Sequence, residues 1–280
     1  MKASNYNAAQ LQEKAQHLRA VCIKLAHTGR EGHLNGALSS VEILIALYHH
    51  FLNITPANIT DKNRDRFIFS KGHACTSWYA ILYDKGLIPK DVLPTYAHNN
   101  SPLPSHPCSH MLPVIDWSSG SLGHGLGVAT GMTYGHRLDN RPSKTAVLLS
   151  DGECNEGSTW ESAMFAATHK LDRLLAVVDF NGIQSIDKTK VLIGETSFAE
   201  KFESFGWSVR EVDGHDTPAL INTLAEFPFT PGKPSAIIAK TVAGKGVSFM
   251  EDQVLWHYRA PSDEDLERAL TELNQRDLRW

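Results

Sequence analysis

The chain has 280 residues, 42% of them apolar and 21% charged, with a net charge of −4 at pH 7. That composition belongs to a folded globular protein and excludes disordered, collagen-like and coiled-coil chains, as well as the basic field that nucleic-acid binding needs. The mostly apolar stretch 41–48 is too short to cross a membrane and the opening residues carry no apolar signal core, so a cytoplasmic protein is expected. Cys22, Cys75, Cys108 and Cys154 have neither metal-clip nor redox spacing, which fits a reducing compartment. The count that stands out is fourteen histidines.

Leu11, Ala15, Leu18, Cys22 and Leu25 recur at helical spacing and predict a helix over 8–28, stopped by Gly29. A second helix is expected over 40–51, with Ser39 and Glu42 as a capping box. The stretch 66–86 reads as helical, behind Ser70-Lys71-Gly72-His73. Residues 89–119 hold six of the thirteen prolines and read as one long irregular segment, of the kind that carries function. A Gly-rich helix follows over 121–138. Strands are then expected over 145–149, 174–179, 207–212 and 235–242, alternating with helices over 158–170, 197–205 and 218–226. Ser158 with Glu161 forms a second capping-box pattern, and Ser262 with Asp265 opens the last helix. Continuous apolar strands alternating with helices predict an α/β fold: a doubly wound, mostly parallel sheet with helices on both faces. No repeat or linker divides it, so 1–280 is expected to be a single domain.

In such sheets ligands bind at the carboxyl ends of the strands. The strand 145–149 runs into Ser150-Asp151-Gly152-Glu153, and the strand 174–179 into Phe180-Asn181-Gly182. If the two strands are neighbours, Asp151 and Asn181 face one point. A carboxylate, an amide oxygen and a loop carbonyl are a partial oxygen set for Mg²⁺, completed by phosphate oxygens and water. Taken alone, the two turns read equally well as ordinary Asx turns. Gly123-His124-Gly125-Leu126-Gly127 lacks the spacing of a nicotinamide-binding loop. His106 and His110 have the spacing of a zinc pair on a helix, but Pro107 and Pro113 oppose a helix there. Trp78, Trp117 and Trp160 read as core, because nothing basic interleaves with them.

Asp151-Gly152-Glu153 with Asn181 thirty positions on resembles the thiamine diphosphate motif, with Ser150 where its first Gly normally stands and Phe180 beside the Asn. Gly32-His33, Ser70-Lys71-Gly72-His73-Ala74, Pro104-Ser105-His106-Pro107, Gly120-Ser121-Leu122-Gly123-His124-Gly125, Glu156-Gly157 and the run from Lys240 to Met250 resemble segments of one branch, the transketolases, in that family's order. The chain is similar to the N-terminal half of a transketolase, the half that holds the cofactor's diphosphate. It resembles the first subunit of a split, two-gene enzyme. The resemblance implies thiamine diphosphate and Mg²⁺ as cofactors, two-carbon ketol transfer from a ketose or ketose phosphate to an aldose as the reaction, and a partner chain carrying the aminopyrimidine-binding domain in a heterotetramer with two copies of each subunit. It also implies Asp151, Asn181 and the Ile183 carbonyl as metal ligands. Gly152 would pack on the diphosphate, Gly120 and Leu122 would lie along the cofactor, and Glu153 would join this cofactor-binding set. His33, His73 and His106 would line the cofactor and donor-sugar channel, His257 would lie near the diphosphate, and Glu156 would sit at the subunit interface as an acidic partner of catalysis. The chain departs from the family at Leu34-Asn35, commonly Pro-Gly, and at Tyr258, commonly Gly; His110 and His124 receive no role. Two neighbouring readings are a pyruvate-using acyloin synthase and the α subunit of a 2-oxoacid dehydrogenase. The Lys71-to-Ala74, Pro104-to-Pro107 and Lys240-to-Met250 segments favour transketolase over the latter.

Overall fold

The computed structural model describes residues 6–280. Its centre is a five-stranded sheet of β1 (Arg66–Phe69), β2 (Thr145–Ser150), β3 (Leu174–Phe180), β4 (Ser208–Asp213) and β5 (Ser235–Lys240). The strand order is β1-β2-β3-β5-β4 and every pair is parallel. Side chains alternate between two cores. Phe67, Phe69, Ala146, Leu148, Leu175, Val177, Ile237 and Ala239 enter one core; Ile68, Val147, Leu149, Ala176, Val178, Ala236 and Ile238 enter the other. A strand buried on both faces has no polar alternation, which is why the central strands read as unbroken apolar runs.

The first core is covered by α1 (Ala8–Gly29), α2 (Leu34–Ser39), α3 (Val41–Ala46), α4 (Cys75–Asp84), α9 (Thr217–Ala225) and α10 (Asp263–Glu272). The second is covered by α5 (Gly125–Leu138), α6 (Gly157–Thr168) and α8 (Phe198–Ser204); a short α7 (Thr189–Ile193) follows β3. The expected doubly wound α/β architecture is therefore present. At the last helix Ser262 and Asp265 do form the reciprocal cap.

Three local expectations are corrected. The segment read as helical from residue 66 begins with strand β1 and becomes α-helical only at Cys75. Arg-Phe-Ile-Phe is aromatic and β-branched, and Phe67 and Phe69 share one face, a period of two that a helical reading overrode. The helix expected over 40–51 is α-helical only as α3 and runs on without a break into a π-helical turn at Leu47–Phe51, with the separate α2 before it. Neither interior capping box forms. Ser39 donates to Asp179 and Glu42 pairs with Arg19, while Ser158 donates to the Gly123 carbonyl. In each case a long-range polar partner outcompetes the local one. No helix among the described residues is long and apolar enough to cross a membrane.

Candidate active site

β1, β2 and β3 all run in one direction, so their carboxyl ends lie side by side. The register pairs Ser150 with Asp179, which brings the Asp151 and Asn181 turns together. β1 delivers Ser70-Lys71-Gly72-His73 to the same edge. These turns, with the segments around His33, His106, Gly120 and His257, enclose a cavity of about 420 Å³.

Its lining includes His33, His73, His106, Gly120, Leu122, Asp151, Gly152, Glu156, Asn181, Ile183 and His257, which the sequence places up to 224 positions apart (33 to 257). Eleven of the twelve predicted site residues thus meet at one place. The exception is Glu153. It is fully buried and faces away from the cavity: its Oε1 accepts from the Ser70 hydroxyl and, at 2.9 Å, from the Gly123 amide. Ser70 in turn accepts from the Gly125 amide at 3.1 Å. Glu153 therefore ties the end of β1 to the Gly-rich turn, and direct contact with a cofactor is not its position here. Burial pushes its carboxyl up to about 7, and Oε2 is buried without a partner. A side chain added at Gly125 would meet Ser70 Oγ at 2.0 Å, so that close approach needs glycine.

Three imidazoles form one cluster. Ring centroids lie 5.2 Å apart for His33–His73, 5.0 Å for His33–His257 and 5.5 Å for His73–His257. His33 sits at φ +62°, a left-handed conformation that costs a non-glycine residue of order 1 kcal/mol, and its amide donates to the His257 carbonyl at 3.0 Å. Beside it, a side chain at Gly32 would strike the Tyr258 carbonyl at 2.4 Å. The two distant segments are thus locked backbone to backbone. Burial lowers the basicity of His33, lowers that of His73 well below the ordinary range and takes His257 to about 4. All three are neutral at pH 7, each able to donate from one nitrogen and accept at the other. His33 Nδ1 is buried and without a partner. His106 is carried at the cavity mouth by the proline segment, which α4 buttresses: Tyr79 donates to the Pro104 carbonyl at 2.9 Å and Cys75 to the Ser105 carbonyl at 3.1 Å.

Asp151 is 1% exposed. Its Oδ1 accepts from the Gly152 amide and its Oδ2 from Gly182 N and Thr189 Oγ1. All three donors are neutral; burial, together with the nearby Asp179, pushes the carboxyl up to about 6 against the hydrogen bond from Thr189. A buried carboxylate short of counter-charge, beside an amide and open to a cavity, suits a hard divalent cation. Among the described residues no group of three or more His, Cys, Asp or Glu is placed to hold a metal. A site built from one carboxylate and neutral oxygens is not such a group. His110 and His124 lie outside the cavity lining.

Sequence reasoning gives no role to Asn35, Gly36, Lys71, Asn155, Gln184, Ser185 or Tyr258, all of which line the cavity. Lys71 stands inside a motif segment, but a helical reading of β1 hides its place at a strand end. Asp179 and Ser39 lie just beneath, where the sequence pattern suggests only the end of a strand and a helix cap.

The chain matches the family model described as transketolase, thiamine diphosphate binding domain, over residues 10–275. It is 39% identical over 274 residues to a subunit of the apulose-4-phosphate transketolase of Actinobacillus succinogenes, covering 98% of this chain and 99% of that protein. It is 35% identical over 265 residues to a 6-deoxy-6-sulfo-D-fructose transketolase subunit of a Clostridium species, covering 95% and 96%. Among solved structures, Campylobacter jejuni transketolase superposes with a TM-score of 0.86 at 30% identity, over 96% of this chain and 43% of that one. Leishmania mexicana transketolase gives 0.87 at 24% identity over 98% and 42%, a likeness of fold. The chain therefore spans about two fifths of these transketolases, and it belongs to the transketolase thiamine diphosphate-binding domain family.

Proposed function

We propose that this chain is the diphosphate- and Mg²⁺-holding subunit of a two-subunit transketolase that moves a two-carbon ketol unit from a ketose phosphate, or a ketose with another anionic end, to an aldose. The observation that carries this reading is one cavity lined both by the Asp151–Asn181 pair and by a cluster of neutral histidines. Asp151, Asn181 and the Ile183 carbonyl would hold Mg²⁺, with Gly152 leaving room for the diphosphate beside them and Gly120 and Leu122 along the cofactor. Thiamine diphosphate, when bound, supplies the carbon nucleophile and the electron sink. The chain's own groups do the rest. His33, His73 and His257 are uncharged donors and acceptors suited to sugar hydroxyls and to a carbonyl oxygen that gains negative charge. His106 at the mouth reaches the entering sugar, and exposed Glu156 at the cavity rim is placed to meet a partner.

A whole active site of this kind also needs a domain for the cofactor's aminopyrimidine. The described residues form one sheet, and relatives that the chain covers almost end to end are themselves named as transketolase subunits. The partner chain then supplies that second domain, and the assembly is a heterotetramer with active sites between subunits, working in the cytoplasm. Two such relatives are named for apulose 4-phosphate and one for 6-deoxy-6-sulfofructose, which supports a donor ending in an anionic group. The test is turnover by the reconstituted pair on ketose phosphates and on pyruvate. Ketol transfer from the sugar supports the reading; turnover of pyruvate alone replaces it with an acyloin synthase, and activity of this chain without a partner overturns the division of the site.

A further inference from the structure

We infer that Asp179 and Ser39 determine which way the side-chain amide of Asn181 faces, and so hold its oxygen ready for a cation; this rests on the cation site proposed above. Asn181 is 8% exposed, and its two amide atoms are engaged separately. Nδ2 donates to Ser39 Oγ at 3.2 Å, while Oδ1 accepts from the Ile183 amide at 3.0 Å. The Ser39 hydroxyl donates to Asp179 Oδ2 at 2.6 Å. Asp179 is fully buried and salt-bridged to Lys71, which is fully buried too. Its Oδ1 accepts from Thr241.

The polarity of this chain of bonds follows from counting protons. An ionised carboxylate only accepts. A hydroxyl has one proton, and the charge-assisted bond to Asp179 takes it. Ser39 Oγ then has only lone pairs to offer Asn181, so the amide end facing it has to be NH₂. The oxygen is left at the other end, on the side of the Ile183 backbone and the cavity. Without Ser39 the two amide orientations come closer in energy, and the wrong one presents NH₂ to the cation. The Lys71 ammonium serves the same arrangement. It keeps Asp179, which faces Ser150 across the β2–β3 ladder, saturated with donors, so that Asp151 is the carboxylate left for a ligand. Ser39 and Asp179 are positioning residues: neither lines the cavity.

The test is a double-mutant cycle on the full chain, with Mg²⁺ titrated calorimetrically at saturating thiamine diphosphate and thermal unfolding recorded for each variant. Ser39→Ala is expected to weaken Mg²⁺ binding ten- to a hundredfold, the usual cost of losing a group that orients a ligand. In an Asn181→Asp background the same change is expected to cost less than twofold, because a carboxylate has no wrong end to present. Equal losses in both backgrounds would mean that Ser39 acts by packing, and would overturn the inference. Wild-type Mg²⁺ affinity in Ser39→Ala would overturn it as well. Asp151→Asn is the control for the site itself: if that variant keeps wild-type Mg²⁺ affinity, it is the cation site that fails. Ser39→Cys, similar in size and a poor hydrogen-bond partner, runs the same cycle if the alanine variant does not fold.

Discussion

Replacing Asp151 by Asn should make the ligand-free chain more stable while removing its response to Mg²⁺ and cofactor. Burial moves this carboxyl from 3.8 to about 6. A displacement of that size penalises the ionised form by about 3 kcal/mol. The folded state binds its proton more tightly than the unfolded one. This group's contribution to stability is therefore greatest below pH 3.8, is lost as pH rises through about 6, and is at its worst at neutral pH. An amide escapes the penalty. It also turns an NH₂ toward the donors that now serve the carboxylate, Gly152 N or Gly182 N and Thr189 Oγ1, at a cost of about 1–2 kcal/mol. The net gain is about 1–2 kcal/mol, or a rise of about 2–4 °C in Tm for a chain of this size. In the wild type, Mg²⁺ with thiamine diphosphate at a hundred times Kd adds about 2.7 kcal/mol, which is about 5 °C; the variant should show less than about 1 °C. Thermal unfolding at pH 7.5, with and without both ligands, reads both quantities. A variant that is less stable than wild type when unliganded and still gains the full ligand-dependent shift would show that Asp151 is a structural turn residue.

His73→Ala and His106→Ala should each lower kcat of the reconstituted enzyme by about a hundredfold, with little change in Tm; wild-type kcat in both would show that they serve the fold and not the reaction. Burial holds His257 at about 4 against 6.5, so the unfolded chain takes up that proton first and stability falls as pH drops from 6.5 toward 4. His257→Gln should flatten this limb, by up to about 3 kcal/mol, in denaturant titrations run at pH 7.5, 6 and 4.5. Lys71→Met strands the buried Asp179 charge and should cost about 3–5 kcal/mol in the same titrations, far more than a surface lysine would. Activity titrated with the partner subunit should break at one to one, at the mass of a tetramer in solution; a break at another ratio would refute that assembly.

The parts of the fold that are legible in the sequence are those where local and global preferences agree. β2, β3 and β5 have apolar interiors on both faces because both faces are covered, and the last helix is capped by Ser262 and Asp265 as its pattern predicts. The illegible parts are those where a distant partner decides. Ser39 has the pattern of a helix cap, yet its hydroxyl serves Asp179, 140 positions away. Glu153 stands beside two cofactor-site residues, yet it points inward to Ser70. Position along the chain cannot say on which side of a strand-end turn a side chain leaves. That is why the sequence groups Asp151, Gly152 and Glu153 together while only the first two line the cavity.

The electrostatics separate what the fold needs from what the site awaits. Away from the cavity, buried carboxylates carry their own cations. Burial opposes ionisation of Glu42 and Asp84, but Arg19 and His215 beside one, and His49 and Lys14 beside the other, hold both below their ordinary values. At the cavity, and at Glu153 just behind it, the sense reverses. Asp151 and Glu153 are raised, while His33, His73 and His257 are lowered, because each has been taken out of water without a counter-charge in contact. Structural ion pairs close on themselves; these groups do not. Asp151 and the histidines face a shared cavity in which a divalent cation would relieve the carboxylate, and a polar substrate would use the hydrogen-bonding capacity that the neutral imidazoles hold in reserve. Glu153 does not face it. Its unpartnered Oε2 is buried behind the Gly-rich turn, so a cation bound at Asp151 would leave Glu153 untouched, and the two carboxyls should answer differently to Mg²⁺.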